Sequence, residues 1–558
     1  MYITVTKKKY KDTYHKQILL RESYREDGKV KSRTLLNLTN KPKHQVEAIA
    51  AAIKNKDEIT ITSDMQHQGK TIGLSFVVYF IVNLLGIATA VGKSFKAKIA
   101  LMLIVARIVS QSSRLQALHW AKNEDKVLDL LKFTSSEKEK LTDKTIYQGL
   151  DYIYDNQEII EDKLFKSYYK NNPPKRVYYD VTSSYVTGEY EDSDLVAYGY
   201  NRDGKKGTKQ IVIGLLTDEN GHAISIHTYP GNTNDIATLG DQLDKLKNRF
   251  KLENITIVGD GGMIKSEDIH KIKELGYDYI TSIGKPSIKK LIDDKESKIQ
   301  MSLFDEELQE IIENDARYIL RQNPIRRDEI GANRDDKIKR FKELVDLKTE
   351  YYNTRYRAKK ETLEKYIDKK ISDLKLSKFI SYTITYEDGD ITVKDKEDRN
   401  EVTKTKGIAT LKITIDEKAK QDVAKLDGCY VVTTSLTDTD KHTKEDLHQA
   451  YKTLIKVENA FKTLKTEFLE IRPLYLRTDS RIIGHIALSM HAYNITLELK
   501  KYIKETELDF KTTIRELSAV STVSNKINDL ISFETIPTVG ENLQKLFAKI
   551  GLKLPTRL

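Results

Sequence analysis

Apolar residues follow several rhythms along this chain. Alternating runs open it: QILLRESY and VKSRTLLNL flank Asp27-Gly28, a dipeptide favoured in tight hairpins, so residues 1–45 are read as a β-hairpin region. From His44 to about Asn171 the spacing turns helical, with little Gly or Pro, which makes residues 46–172 a mostly helical segment. Pro173-Pro174 ends it. The strand-like runs RVYYDVTSSYV, QIVIGLLTD and HAISIHTYPG follow, the last two joined by a TDENG turn. A helix from Asp235 to Arg249, the strand ITIVGD, a helix from about Lys265 to Leu275 and the strand YDYITSIG complete residues 173–284. This order predicts an α/β fold with a mixed sheet of five strands and flanking helices. Residues 285–440 interrupt it as an α+β insertion, with one long charged helix from about Asp335 to Leu374 and short strands such as FISYTITYE and TLKITID. A strong helix from about Lys444 to Glu470 and another from about Ser480 to Lys504 place residues 441–505 with the sheet. Residues 506–558 read as a C-terminal helical tail.

Composition narrows the class. With 558 residues the chain exceeds one ordinary core. Its 39% hydrophobic and 32% charged residues suit a globular protein. A net charge of +11 favours a polyanionic partner, although 83 acidic residues temper that signal. The single cysteine, Cys429, leaves no internal disulfide and no Cys-rich zinc site, and fits a cytoplasmic protein. The N-terminal MYITVTKKKYK has no apolar run after it of the kind a secretory signal needs. The run TIGLSFVVYFIVNLLGIATAVG approaches membrane-spanning length, but it contains Ser75, Asn83 and three glycines. A second apolar run with Arg107 inside follows it, so a buried helical region is expected rather than a membrane span.

Three carboxylates stand out. Asp180 lies in the apolar strand VYYDVTSS, where an unpaired charge is costly. Asp260 ends the strand ITIVGD and precedes two glycines, a place where ligands gather in open α/β sheets. Each also fits an ordinary strand-ending turn. Glu458 carries more information. Leu447, Tyr451, Leu454, Glu458, Phe461, Lys465 and Phe468 alternate four- and three-residue steps, which is one stripe of a helix. An aromatic, an acid and a base, Tyr451, Glu458 and Lys465, thus recur every two turns, roughly 10 Å apart. A core stripe whose charged ends reach water fits the same spacing. There is no HExxH, and no GxSxG surrounds Ser183 and Ser184, so zinc and serine hydrolase chemistry are disfavoured. Lys93, Lys96, Lys98, Arg107 and Arg114 form a basic helical stretch that leads to Trp120.

In YYDVTSSYV, KQIVIGLLTDENGHAISIHTYPGNTND, IVGDGGMIKSEDI and YKTLIKVENAFKTLKTEFLEIRPLYLRTDSRIIGHI the chain resembles the DDE transposases of bacterial insertion sequences, in the IS-four clan and its IS-sixteen-thirty-four branch. The last block is similar to that clan's Y-x2-R-x3-E-x6-K signature, with Tyr451, Glu458 and Lys465 in place and Leu454 where the signature has Arg. The resemblance implies an RNase H-like catalytic core, with Asp180 on its first strand, Asp260 after its fourth and Glu458 on a later helix. It implies two Mg2+ ions, with Mn2+ as a substitute, bridged by Asp180 and completed by Asp260 and Glu458. Terminal inverted repeats and target DNA are the implied partners, gripped by Tyr451, Lys465, Lys462, Lys452 and Arg472. The helical N-terminal region is the expected end-binding part. Cut-and-paste strand transfer in a homodimeric synaptic complex, nucleoid-associated when active, is the expected activity. A catalytically inactive DNA-binding regulator, an RNase H-like nuclease without strand transfer and a two-carboxylate glycosidase are the rival readings; one tryptophan and a basic balance disfavour the last.

Overall fold

The computed structural model describes residues 1–10, 13–54, 65–202, 204–205, 207–394, 401–467, 469, 471, 474–527 and 531–554. They divide into two compact units. One comprises residues 1–80, 119–132 and 500–558, and the other residues 81–118 and 133–499.

The first unit opens with an antiparallel meander of β1 (Tyr2–Tyr10), β2 (Thr13–Glu26) and β3 (Lys29–Asn37). The turn between β2 and β3 falls at Asp27-Gly28, where the sequence places it. A second small sheet joins distant parts of the chain. β4 (Met65–Gln68) pairs with strand Val523–Ile527, which pairs in turn with Ile531–Thr535. Two polar ties reinforce this union: Lys126 Nζ donates to Glu534 at 2.6 Å, and the Thr71 hydroxyl donates to buried Asp125 at 2.7 Å. The tail therefore contributes strands as well as the helices Phe510–Ala519 and Glu541–Ile550.

The long apolar run does not form one long helix. It divides at Gly86 into helices Gly73–Leu84 and Ile87–Val91. Among the described residues no helix is long and apolar enough to cross a membrane. Helix Phe95–Val109 is buried along most of its length, and the Ser94 hydroxyl caps it by accepting from Ala97 N. Arg107 within it is a structural residue: its guanidinium donates to the carbonyls of Ser112 and Leu469. Lys98 is ion-paired with Glu137 at 2.7 Å, Trp120 is buried, and Lys93 and Lys96 remain exposed. Two of the five basic residues of that stretch, Lys98 and Arg107, are thus committed to pairing and packing.

The centre of the second unit is a mixed sheet. It contains β5 (Arg176–Tyr185), β6 (Gln210–Asp218), β7 (Ala223–Pro230), β8 (Thr256–Gly259), β9 (Asp278–Ile283), β10 (Gln309–Glu313), β11 (Ala316–Gln322) and, after the β12 (Ile380–Lys394) and β13 (Glu401–Ile415) hairpin, β14 (Cys429–Thr434). The order across the sheet is β10-β11-β14-β9-β8-β5-β6-β7. Only β5–β8 and β8–β9 are parallel pairs. The sheet therefore has eight strands, not the expected five. β14, β11 and β10, all from the 285–440 stretch, pair in turn onto the edge of β9. An open β9 edge would present unpaired backbone groups, and these strands cover it.

The long charged helix also differs from expectation. It is two helices, Pro324–Thr354 and Lys360–Asp373, separated by an extended turn at Arg355. The bend lets Phe341, Val345 and Tyr352 of one helix and Leu363 and Ile367 of the other pack against the β12–β13 hairpin in a separate apolar core. Helix Gln148–Tyr168 docks on β7. Its fully buried Glu161 accepts from Ser225 Oγ at 2.9 Å and from Arg249 at 2.7 Å.

Candidate active site

Strand alternation positions the first carboxylate. Val177, Tyr179 and Val181 of β5 face the core made by helices Ile236–Asp244 and Ser266–Glu274. Tyr178, Asp180 and Thr182 therefore face the other side. β5 and β8 run parallel, and their ladder ends at the pair Tyr179 and Gly259. The next residue on each strand is an aspartate, so Asp180 and Asp260 stand side by side just beyond the ladder, on strands about 4.8 Å apart.

Asp180 is half-buried, and Oδ1 accepts from Val181 N at 2.8 Å. Burial pushes its carboxyl up to about 7; the negative charges of Glu458 and Asp260 add to this, while the Val181 N–H and the Arg202 charge oppose it. Asp260 is exposed. Its Oδ1 accepts from Gly261 N at 2.8 Å, and the Ser282 and Tyr451 hydroxyls approach it at 3.4 and 3.5 Å. A Cβ at Gly261 would run into the Ser282 carbonyl, so this strand exit requires glycine.

The third carboxylate comes from a helix that is not continuous. The expected single stripe is divided into helices Lys444–Lys452 and Ile455–Lys462 and a π-turn, Thr463–Glu467. The Thr453 hydroxyl donates back to Gln449 O at 2.9 Å, a bond that bends helices. Leu454, at the break, is buried. The signature position thus serves packing here, and an arginine would have to be taken out of water to fit. Despite the break, same-face residues of β5 meet the segment in step. Asp180 senses the Glu458 charge, and Thr182 Oγ1 accepts from Lys465 Nζ at 2.6 Å. Tyr451 is half-buried, and burial pushes its phenol up to about 12, so the hydroxyl stays a donor. Glu458, Lys452 and Lys462 are exposed. Arg472 and Phe468 lie outside the described residues.

The structure therefore brings Asp180, Asp260, Glu458, Tyr451 and Lys465 together beside the central strands β5 and β8. It adds Thr182, Ser282 and Arg202, to which the sequence analysis assigned no role. Thr182 could have been found, because it lies two residues from Asp180 on the same face. Ser282 and Arg202 come from other strands and loops and leave no local signal.

Residues 172–495 match the family described as Transposase DDE domain, and residues 3–62 match the IS1634 family transposase N-terminal domain. The chain belongs to the DDE transposases, in the IS1634-like branch. No curated protein matches it. Among solved structures, a chain titled "Mos1 transposase paired-end complex with left transposon end" aligns at 13% identity over 43% of this chain and 68% of that one. Its TM-score is 0.14.

For a transposase of this family a divalent metal is the implied cofactor. Among the described residues no three His, Cys, Asp or Glu side chains are drawn together tightly enough to enclose an ion. The donor chemistry nevertheless fits a hard cation. The set offers only carboxylate oxygens, and Asp180 is held up by burial and by two neighbouring negative charges, a condition a cation relieves. Neither Asp260 nor Glu458 forms an ion pair among the described residues.

Proposed function

We propose that this IS1634-like transposase binds the terminal inverted repeats of its element and cuts and rejoins DNA with divalent metal ions held by Asp180, Asp260 and Glu458. The observation that carries this reading is the placement of Asp180 and Asp260 as the residues immediately past the Tyr179–Gly259 ladder, with Glu458 in their field. The strand order β7-β6-β5-β8-β9, antiparallel at β5–β6 and parallel at β5–β8, supports an RNase H-like core, with β14, β11 and β10 as an extension. Mg2+, or Mn2+ in its place, would supply activation of a water or 3′-hydroxyl and stabilisation of the leaving oxygen.

The chain's own groups have definable parts in this reading. Tyr451 and Ser282 hold Asp260 by hydrogen bonds to Oδ1. Lys465, tethered at Thr182, keeps an ammonium on the face that carries Asp180, where a DNA phosphate would bind. Lys452 and Lys462 add exposed positive charge to the same segment. End recognition is assigned to residues 1–172. Paired ends call for at least a homodimer, and cut-and-paste transfer is the activity proposed.

Asp180→Asn, Asp260→Asn and Glu458→Gln are each expected to reduce cleavage of element-end DNA about 100- to 1,000-fold, on the order of losing a preorganised charge-stabilising group. Gel-shift affinity for the same DNA is expected to stay within a few-fold. Full cleavage by any one variant would remove that residue from the site.

A further inference from the structure

The β5–β6 connection holds two of the most exposed aromatic side chains among the described residues. Tyr198 is 64% and Tyr200 84% exposed. They are not on a loose tether. Ala197 and Gln210 exchange backbone hydrogen bonds, 2.9 Å for Gln210 N to Ala197 O and 3.2 Å for the return. The buried Gln210 amide donates to Tyr200 O at 3.1 Å and to Gly231 O at 2.7 Å. Between the tyrosines, Gly199 lies so close to Gly231 that a Cβ would run into its carbonyl. A Cβ at Gly231 would meet the carbonyls of Gln210 and Ala197. A buried amide and two glycines thus fix the backbone of a ridge that presents aromatic rings to water. No core packing requires those rings.

The ridge is tied to β5, the strand that carries Asp180. Two residues after Tyr200, Arg202 N donates to Ser183 Oγ of β5 at 2.9 Å. The Arg202 guanidinium pairs with Asp235 and lies within the field of Asp180. Lys205 sits 3.9 Å from the centroid of the Tyr185 ring, on the same strand end. Rigid exposed aromatics beside basic groups suit unpaired nucleotides, because every base offers a face to stack on and the backbone beside it a phosphate to pair.

We propose that Tyr198 and Tyr200 form a stacking platform for unpaired bases of the DNA strand presented to Asp180. This rests on the transposase reading of the carboxylates and adds a place where a strand end is held once it leaves the duplex. The platform stabilises frayed or cleaved ends over intact duplex.

The test uses the full-length chain and two probes: a blunt duplex oligonucleotide, and the same duplex with a single-stranded 3′ tail carrying 2-aminopurine. The wild-type chain is expected to prefer the tailed probe and to quench its fluorescence. Tyr198→Ala with Tyr200→Ala is expected to weaken tailed-probe binding about 10- to 100-fold, to leave blunt-duplex binding unchanged and to abolish quenching. Tyr198→Phe with Tyr200→Phe keeps the rings and is expected to restore both, with unaltered melting temperature showing that each variant folds. Wild-type affinity in the double alanine variant, a double phenylalanine variant as weak as it, or a wild-type chain that treats both probes alike would overturn the platform. Asp180→Asn separates the two ideas: it is expected to quench the tailed probe while cutting nothing. If it cuts, the carboxylate reading fails whatever the tyrosines do.

Discussion

At the scale of single residues, Asp180 is an acid kept from its ordinary ionisation. Its carboxyl sits up at about 7 because burial disfavours the charge and Glu458 and Asp260 reinforce the effect. From about pH 4 to 7 the folded chain then holds a proton that the unfolded chain has released, so stability in chelator falls as pH rises through that window. Asp180→Asn removes the penalty. In chelator it is expected to raise the melting temperature at pH 8 by a few degrees and to change it little at pH 4, as read by thermal melts at both values. Added Mg2+ should stabilise the wild type and not the variant. Equal shifts at the two pH values would mean that the carboxylate carries no such strain. Asp180 and Asp260 stood out because one lies within an apolar strand and the other follows the end of one, but their adjacency was not legible. It arises from the parallel β5–β8 register, which no local pattern records.

Among elements, the Glu458 segment shows both what periodicity reveals and what it conceals. The four-and-three spacing put Tyr451, Glu458 and Lys465 on one face, and Glu458 and Lys465 lie toward β5. It could not reveal the break at Thr453 and Leu454 or the π-turn at 463–467, since these follow from a back-bonded hydroxyl and from packing against β5. The insertion concealed more. Its helices form their own core with β12 and β13, whereas β14 joins β10 and β11 to the β9 edge, far away from it in sequence. A different element shows how the sheet is buttressed. Helix Gln148–Tyr168 brings Glu161 under β7, where Lys245 and Arg249 offset its burial and hold its carboxyl below the ordinary range. Arg249→Met leaves one of these cations and strands part of a buried charge. The expected loss is about 3 kcal/mol, read as a lower urea midpoint for the sheet-containing unit. An unchanged midpoint would show that Lys245 suffices.

For the whole molecule, charge and connectivity matter most. A chain of net charge +11 that meets several phosphates should bind DNA with a steep salt dependence. Affinity for an inverted-repeat duplex is expected to drop at least 100-fold between 50 and 200 mM salt, measured by fluorescence anisotropy. A flat response would argue against an interface built on lysine and arginine. The first unit was the least legible from sequence, because it is assembled from three separated stretches. Strand Val523–Ile527 completes a sheet begun at Met65, and Lys126 reaches Glu534. Read in order, the tail looks like a helical appendage.

β11 and β14 are neighbours in the sheet, and the chain between them makes a long excursion. It leaves at Gln322 and returns at Cys429, residues that face each other across the ladder, and Asn323 N donates to Gly428 O at 2.9 Å. Both ends of the excursion are thus already one hairpin turn apart. Geometrically this is a socket: the intervening module, with its own core, can be unplugged and the gap closed by a two-residue Asn-Gly turn without altering strand register. Such a shortened chain is expected to keep the sheet and its carboxylates, seen as retained circular dichroism and cooperative melting. Whatever contacts the module makes with DNA or a second subunit would then be open to exchange, as an attachment is swapped on a fixed tool.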